Sequence, residues 1–155
     1  MIEKLKQIRS ARINMKKKKK LVKLPVLARK AWKLMSLYSR QKDLMLNELG
    51  FVACVTCGKI EHWKDMHAGH WFHASKQSAV TYDHRNIHVQ CVMCNTYKGG
   101  ARDDYAVYIK NRYGAHVLDE LQTLKHQGHI LRRQELEDKI VELQGLLSEL
   151  NKWSL

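Results

Sequence analysis

Two cysteine pairs constrain this chain more than any other feature. Cys54-Val-Thr-Cys57 and Cys91-Val-Met-Cys94 hold all four of its cysteines. A two-residue gap lets both thiolates of a pair turn toward one tetrahedral ion, and closed zinc sites take four such ligands. The N-terminus has charges but no apolar stretch ending in a small-residue cleavage site, so no export signal is expected. Paired CxxC spacing in an unexported chain favours metal over disulfides. Cys54, Cys57, Cys91 and Cys94 are therefore the expected ligands of a structural Zn²⁺ in a cytoplasmic protein.

The charge is strongly basic, +13 over 155 residues. It is unevenly placed: residues 1–50 carry 15 Lys/Arg against 3 Asp/Glu, and residues 51–155 carry 13 against 12. A one-signed N-terminal third points to a polyanionic partner, and nucleic acid fits it best. No run of 18 or more apolar residues occurs, so no membrane contact is expected.

These features divide the chain into four parts. Residues 1–25 form a basic arm in which Lys16, Lys17, Lys18, Lys19 and Lys20 repel one another and suit contact with DNA phosphates. Residues 26–50 read as a connecting helix, with Leu27, Ala31, Leu34, Tyr38 and Met45 at helical spacing and Gly50 as its stop. Trp32 on this helix reads as a packing residue. Residues 51–100 form a zinc-stapled core. Residues 101–155 read as helices, broken at Gly114 and near Gly128. The last, 130–152, carries a seam of Leu136, Ile140, Leu143, Leu147 and Leu150 that either folds back onto residues 26–48 or pairs with a second copy.

In the core, Phe51–Val55 reads as a strand entering a zinc knuckle, with Gly58 supplying a positive φ. Asn86–Gln90 alternates like a strand, and Cys91–Asn95 enters a helix start. Knuckle on one side and helix start on the other is a treble-clef arrangement, and the fold class is α+β. The 33 residues between Cys57 and Cys91 hold His67, His70, His73, His84 and His88. His62 and His84 read as surface residues. The order of His70, Asn86 and Asn95 across strand, loop, strand and helix is that of the HNH (ββα-metal) nucleases. Neutral imidazole can take a proton from water, and a divalent cation on a phosphate oxygen offsets developing charge.

A closer resemblance follows from Cys54-x-x-Cys57-Gly58, Ala68-Gly69-His70, and Arg85-Asn86-Ile87-His88-x-Gln90-Cys91-x-x-Cys94-Asn95-x-x-Lys98-x-Gly100. With Tyr105 and Gly114 downstream, residues 25–123 resemble the NinG/Rap family of lambdoid phage recombination endonucleases. The resemblance implies metal-dependent cutting of branched DNA such as Holliday junctions, in the cytoplasm of a bacterial host. Nicking of ordinary duplex and non-catalytic zinc-dependent DNA binding are the alternatives.

By the same resemblance, His70 is the general base, Asn86 fixes the loop and Asn95 sits near the catalytic cation. Many HNH enzymes take a metal ligand from the residue before the base. Here that residue is Gly69, so the ligand must come from elsewhere, with His67, His73 and Asp65 as candidates in that order. A histidine ligand favours Mn²⁺, Zn²⁺ or Ni²⁺ over Mg²⁺. Arg85 and Lys98 are candidate phosphate contacts, and His88 is either structural or part of the site. A homodimer through the C-terminal helix would bring two active sites to one junction.

Overall fold

The computed structural model describes residues 21–44, 49–73 and 78–152. The lysine run Lys16–Lys20 and Met45 lie outside these residues. Among these residues, four helices and two small antiparallel hairpins make an α+β fold.

Helix α1 spans Leu24–Gln41 and has Pro25 in its first turn, where the missing N–H breaks no helical bond. It buries Leu27, Ala28, Ala31, Met35 and Ser39. The helix ends at Gln41, not near residue 48 as the apolar spacing suggests. There Lys42 turns inward, and its Nζ donates to the carbonyls of His84 and Ile87, both 3.3 Å away. That tether holds the end of α1 against the second hairpin.

The first hairpin pairs β1 (Phe51–Ala53) with β2 (Ile60–His62), with Val52 opposite Glu61. The second pairs β3 (His67–His70) with β4 (Ile87–Gln90), in a register that sets His67 opposite Gln90, Gly69 opposite His88, and His70 opposite Ile87. All four residues of β4 are buried. Strand alternation places Ala68, His70, Ile87 and Val89 on one face, toward α1, and His67, Gly69, His88 and Gln90 on the other.

Beyond Cys91 the expected helix is only one wide π-helical turn, Met93–Tyr97. Gly99, Gly100 and Ala101 follow with positive φ and redirect the chain. Helix α2 (Arg102–Tyr113) then begins with Asp103 and Asp104 in its first turn, where carboxylates oppose the helix dipole. Helix α3 (His116–Gln127) stops at Gly128, φ +62°. Helix α4 spans Arg133–Lys152.

The seam of α4 is covered within this chain. Leu136, Ile140 and Leu143 share a core with Leu27, Ala28, Ala31, Met35, Tyr82 and Ile87. Of the two partners the sequence leaves open, α1 packs on the seam within the chain. A second core joins Trp71, Phe72 and Val80 to Tyr105, Ile109, Val117 and Leu121. A third gathers Val52, Met66 and Val89 around Cys54, Cys91 and Cys94. Among the described residues, no helix is long and apolar enough to cross a membrane.

Candidate functional site

The four cysteines converge. Their sulfurs all lie within 4.8 Å of one another, with Cys54, Cys91 and Cys94 buried and Cys57 exposed. Gly58 at φ +73° closes the first knuckle, and its N–H donates to the Cys54 carbonyl at 2.9 Å. Cys57 and Cys91 Sγ stand 3.7 Å apart. Thiolates roughly 2.3 Å from one tetrahedral ion would be about 3.8 Å apart, so the spacing fits zinc. Burial, then the neighbouring Cys57 and Cys91 thiols and charge on Cys54, pushes the Cys94 thiol up to about 12. A divalent cation reverses that penalty by binding thiolate. The cluster can hold one zinc ion.

Next to the cluster, the polar face of the second hairpin carries His67 and Asn95. The Asn95 side-chain nitrogen lies 3.0 Å from His67 Nδ1. Gln90, opposite His67, is fully buried. Its Nε2 donates to the Gly100 carbonyl at 2.9 Å and lies 3.4 Å from Thr56 Oγ1, which in turn is 3.1 Å from Cys54 Sγ. A carbonyl only accepts, so this fixes the amide orientation and sends Oε1 the other way. Oε1 is buried without a hydrogen-bond partner. It fills the space above Gly69: a Cβ there would lie 1.9 Å from Gln90 Oε1 and 3.0 Å from Asn95 Oδ1. Glycine at 69 thus has a packing cause, because any side chain would collide with Gln90.

His70 lies on the opposite face of β3. Its ring stacks on Trp32 of α1, with centroids 5.1 Å apart and planes at 20°. Nε2 is 3.2 Å from the Thr81 carbonyl, which only accepts, so Nε2 carries the proton and Nδ1 holds the lone pair. Burial lowers the His70 pKa, the Thr81 bond opposes this, and His73 lowers it further. The ring is neutral at pH 7. His73 stands beside it, ring centroids 6.2 Å apart. The tentative metal ligands therefore divide, with His67 and Asn95 together and His73 next to His70. Asp65, the third candidate, is exposed in the turn before β3.

Asn86 ties the ends of the loop that follows His70. Its Oδ1 accepts from Phe72 N at 2.8 Å, and its Nδ2 donates to the carbonyls of Phe72 and Val80 at 3.0 and 2.9 Å. His88 is enclosed. Tyr105 Oη donates to the Gly69 carbonyl at 2.9 Å, so it accepts from His88 Nδ1 at 3.0 Å. His88 Nε2, left with a lone pair, accepts from Tyr113 Oη at 2.8 Å. Burial, helped by charges on Lys42, Arg112 and His84, holds its pKa down to about 2. His88 is a structural post linking α2 to β4. His84 is exposed as expected, whereas His62 is half-buried with its ring against Phe51 and Trp63.

Arg85 has carboxylate partners within the chain. Its guanidinium binds Asp83 (2.8 and 3.0 Å) and Glu120 (2.5 Å), so three of its five N–H donors face carboxylates. Lys98 is exposed just past the turn that bears Asn95. The sequence reading did not single out Arg102 or Lys125. Their cations lie 5.2 and 4.6 Å from the Phe72 ring centroid, and among the described residues neither makes an ion pair. They sit on separate helices, so no local motif marks them. The backbone registers Arg102 to the site, since Trp71 Nε1 donates to its carbonyl at 3.1 Å.

The fold and site define a small helix-and-hairpin protein stapled by a four-cysteine cluster, with a histidine-rich strand beside it. The chain belongs to the NinG family: the family described as "Bacteriophage Lambda NinG protein" matches residues 3–153. "Protein ninG" of Escherichia phage 933W is 31% identical over 121 residues, covering 74% of this chain and 55% of that protein. The Salmonella phage P22 protein of that name is 32% identical over 99 residues, 63% of this chain and 47% of its own length. That of Escherichia phage lambda is 31% identical over 99 residues, with the same coverage. The chain thus spans about half the length of the curated relatives it matches. No solved structure matches it.

Proposed function

We propose that this chain is a metal-dependent endonuclease that cuts branched DNA, and that β3, β4 and the turn after Cys94 form an abbreviated HNH core. The observation that carries the reading is the state of His70. Half-buried beside Trp32, it is neutral, and its Nε2 proton is committed to Thr81, which leaves Nδ1 as a base. In the proposed reaction Nδ1 takes a proton from water as the water oxygen attacks phosphorus. The bond from phosphorus to the leaving oxygen breaks, and that oxygen ends protonated.

His67 and Asn95 would hold the divalent cation, Mn²⁺ or Mg²⁺, with Zn²⁺ or Ni²⁺ also suited to an imidazole ligand. Its chemistry would be to stabilise charge on the phosphate oxygens. Asn86 would fix the loop, and Arg102, Lys125 and Lys98 would contact the DNA backbone, which positions a strand without reading its sequence.

One observation favours the non-catalytic reading, in which the protein binds DNA through a zinc-stapled fold. His70 and the His67–Asn95 pair occupy opposite faces of β3. A cleavage assay decides between them. Wild type with Mn²⁺ or Mg²⁺ is expected to cut a four-way junction faster than linear duplex of the same sequence, and His70→Ala is expected to abolish cutting. Unchanged cutting by His70→Ala removes the base assignment, and equal cutting of the two substrates favours a duplex nickase.

A further inference from the structure

We propose that the flank of α1 bearing Arg29 and Lys33 is a track for one strand of DNA, which holds the strand's phosphates beside the Trp32–His70 stack. What His70 does to that strand rests on the nuclease reading. The track itself needs only that the partner is DNA.

Helix α1 carries charge of one sign. Between Leu24 and Gln41 it holds Arg29, Lys30, Lys33 and Arg40 and no Asp or Glu. Arg29, Lys30 and Lys33 are exposed, and among the described residues none of them makes an ion pair. Neighbouring cations without a counter-charge repel one another. A polyanion removes that cost and releases its own counterions on binding.

Two contacts fix which flank of α1 borders the site. Trp32 stacks on His70, the last residue of β3, and Arg40 Nη1 donates to the carbonyl of Met66, just before β3, at 3.5 Å. From Trp32 to Arg40 the helix rises about 12 Å, and from Met66 to His70 the strand covers about 13 Å, so α1 runs antiparallel beside β3. At about 100° per residue, Arg29, Arg40 and Lys33 lie about 60°, 80° and 100° round from Trp32 in one sense. The buried Ala28, Ala31 and Met35 lie in the other sense. Lys30 and Lys23 fall about 160° and 180° away, on the far flank. Arg29 comes before Trp32 and Lys33 after it, so the two cations bracket the ring that covers His70. As i,i+4 neighbours they stand about 5–6 Å apart at Cβ, close enough to share one stretch of backbone. Arg40 is already engaged, by the Ser36 and Met66 carbonyls and the Trp63 ring, and marks the end of the track. Arg102 and Lys125 gather at Phe72, two residues beyond His70. A strand crossing His70 thus meets cations from α1 and from the later helices.

Affinity for a labelled four-way junction, measured without divalent cation between about 50 and 200 mM salt, tests the track. Arg29→Ala/Lys33→Ala should make the slope of log affinity against log salt shallower by about 0.9 for each cation removed. Lys23→Ala/Lys30→Ala loses the same charge from the far flank and should leave the slope close to that of wild type. If a variant fails to fold, lysine acetylation of wild type supplies the answer: bound junction should protect Lys33 severalfold more than Lys30. Equal slopes for the two double variants, a wild-type slope for Arg29→Ala/Lys33→Ala, or equal protection of the two lysines overturns the track. So does binding to anionic phospholipid vesicles, and not to the junction, that Arg29→Ala/Lys33→Ala abolishes, since the flank then serves a membrane. If the track fails in a protein whose cutting still depends on His70, the nuclease reading stands. If the track holds in a protein that cuts nothing, the DNA partner stands and the nuclease reading falls.

Discussion

Trp32 lies nearly parallel to His70, 5.1 Å from ring centre to ring centre, although 37 residues of chain separate them. The contact joins α1 to the strand bearing the proposed base. It keeps water from one face of the imidazole and sets the ring plane.

Removing the indole should change both properties. Trp32→Ala should raise the His70 pKa toward its ordinary value of about 6.5, because the burial that depresses it is relieved. The base works only when neutral, so the acid limb of the rate profile should move to higher pH. Cleavage at neutral pH should drop about tenfold, the order of a lost aromatic contact. Trp32→Phe should retain most of both. A His70 titration curve that is identical in wild type and Trp32→Ala would falsify the shielding role.

The zinc cluster yields a prediction about stability. Cys57 is exposed while the other three cysteines are buried, so Cys57→Ser changes the ligand set with little loss of packing. Metal analysis should find about one zinc per wild-type chain and much less in the variant. The variant, or wild type treated with a chelator, should melt lower by roughly 10 °C or more. The third core consists largely of residues around these cysteines and has little else to replace the ion. A chelated protein with unchanged melting would show that the cluster is not a structural metal site.

His88 should make the fold sensitive to acid. Folded, it resists protonation down to about pH 2, while the unfolded chain takes up the proton near 6.5. The unfolded state therefore binds more protons below pH 6.5, and stability falls as the pH drops through that value. His70, depressed in the same direction, adds to the loss. His88 contributes up to about 1.4 kcal/mol per pH unit below about 6.5. His88→Gln should cost about 1–3 kcal/mol at pH 7.5, through its bonds to Tyr105 and Tyr113. It should also lose less stability than wild type between pH 7.5 and 5.5. Urea midpoints at the two pH values give the comparison, and parallel losses in both proteins would refute the linkage. Zinc release in acid affects both proteins alike and drops out of the difference.

The cysteine framework was legible because ligand spacing is local: two short gaps and a glycine specify a knuckle whatever surrounds them. Helices α2 and α3 were legible for the same reason, with Asp103 and Asp104 at one start and Gly114 and Gly128 at the two ends. The environment of β4 was not. Its alternation of Asn86, His88 and Gln90 with Ile87 and Val89 ordinarily marks a solvent-facing polar side. Here that side is buried under Tyr105, Tyr113 and Gly100, partners that come from later in the chain. Trp32 read as ordinary packing, and Arg85 read as a phosphate contact, because neither stack nor salt bridge leaves a mark on local sequence. The packing of α1 on the α4 seam is likewise a tertiary fact that heptad spacing leaves open.

Arg102 and Lys125 extend that point to DNA binding. Two cations on separate helices approach one phenylalanine ring, two residues beyond His70, with no ion pair among the described residues. If they grip the strand leaving the site, each neutralises a phosphate and releases counterions. The slope of log affinity against log salt should then become shallower by about 0.9 for each cation removed. Affinity of Arg102→Ala/Lys125→Ala for a labelled four-way junction, measured without divalent cation between about 50 and 200 mM salt, gives that slope. Lys139→Ala/Lys152→Ala removes the same formal charge from α4, away from the Phe72 ring, and serves as the control. Lys139 already faces Glu142 at 2.6 Å, so this pair should leave the slope nearly as in wild type. Equal changes in the two double variants would mean that only net charge matters, and that the grip on the DNA lies elsewhere.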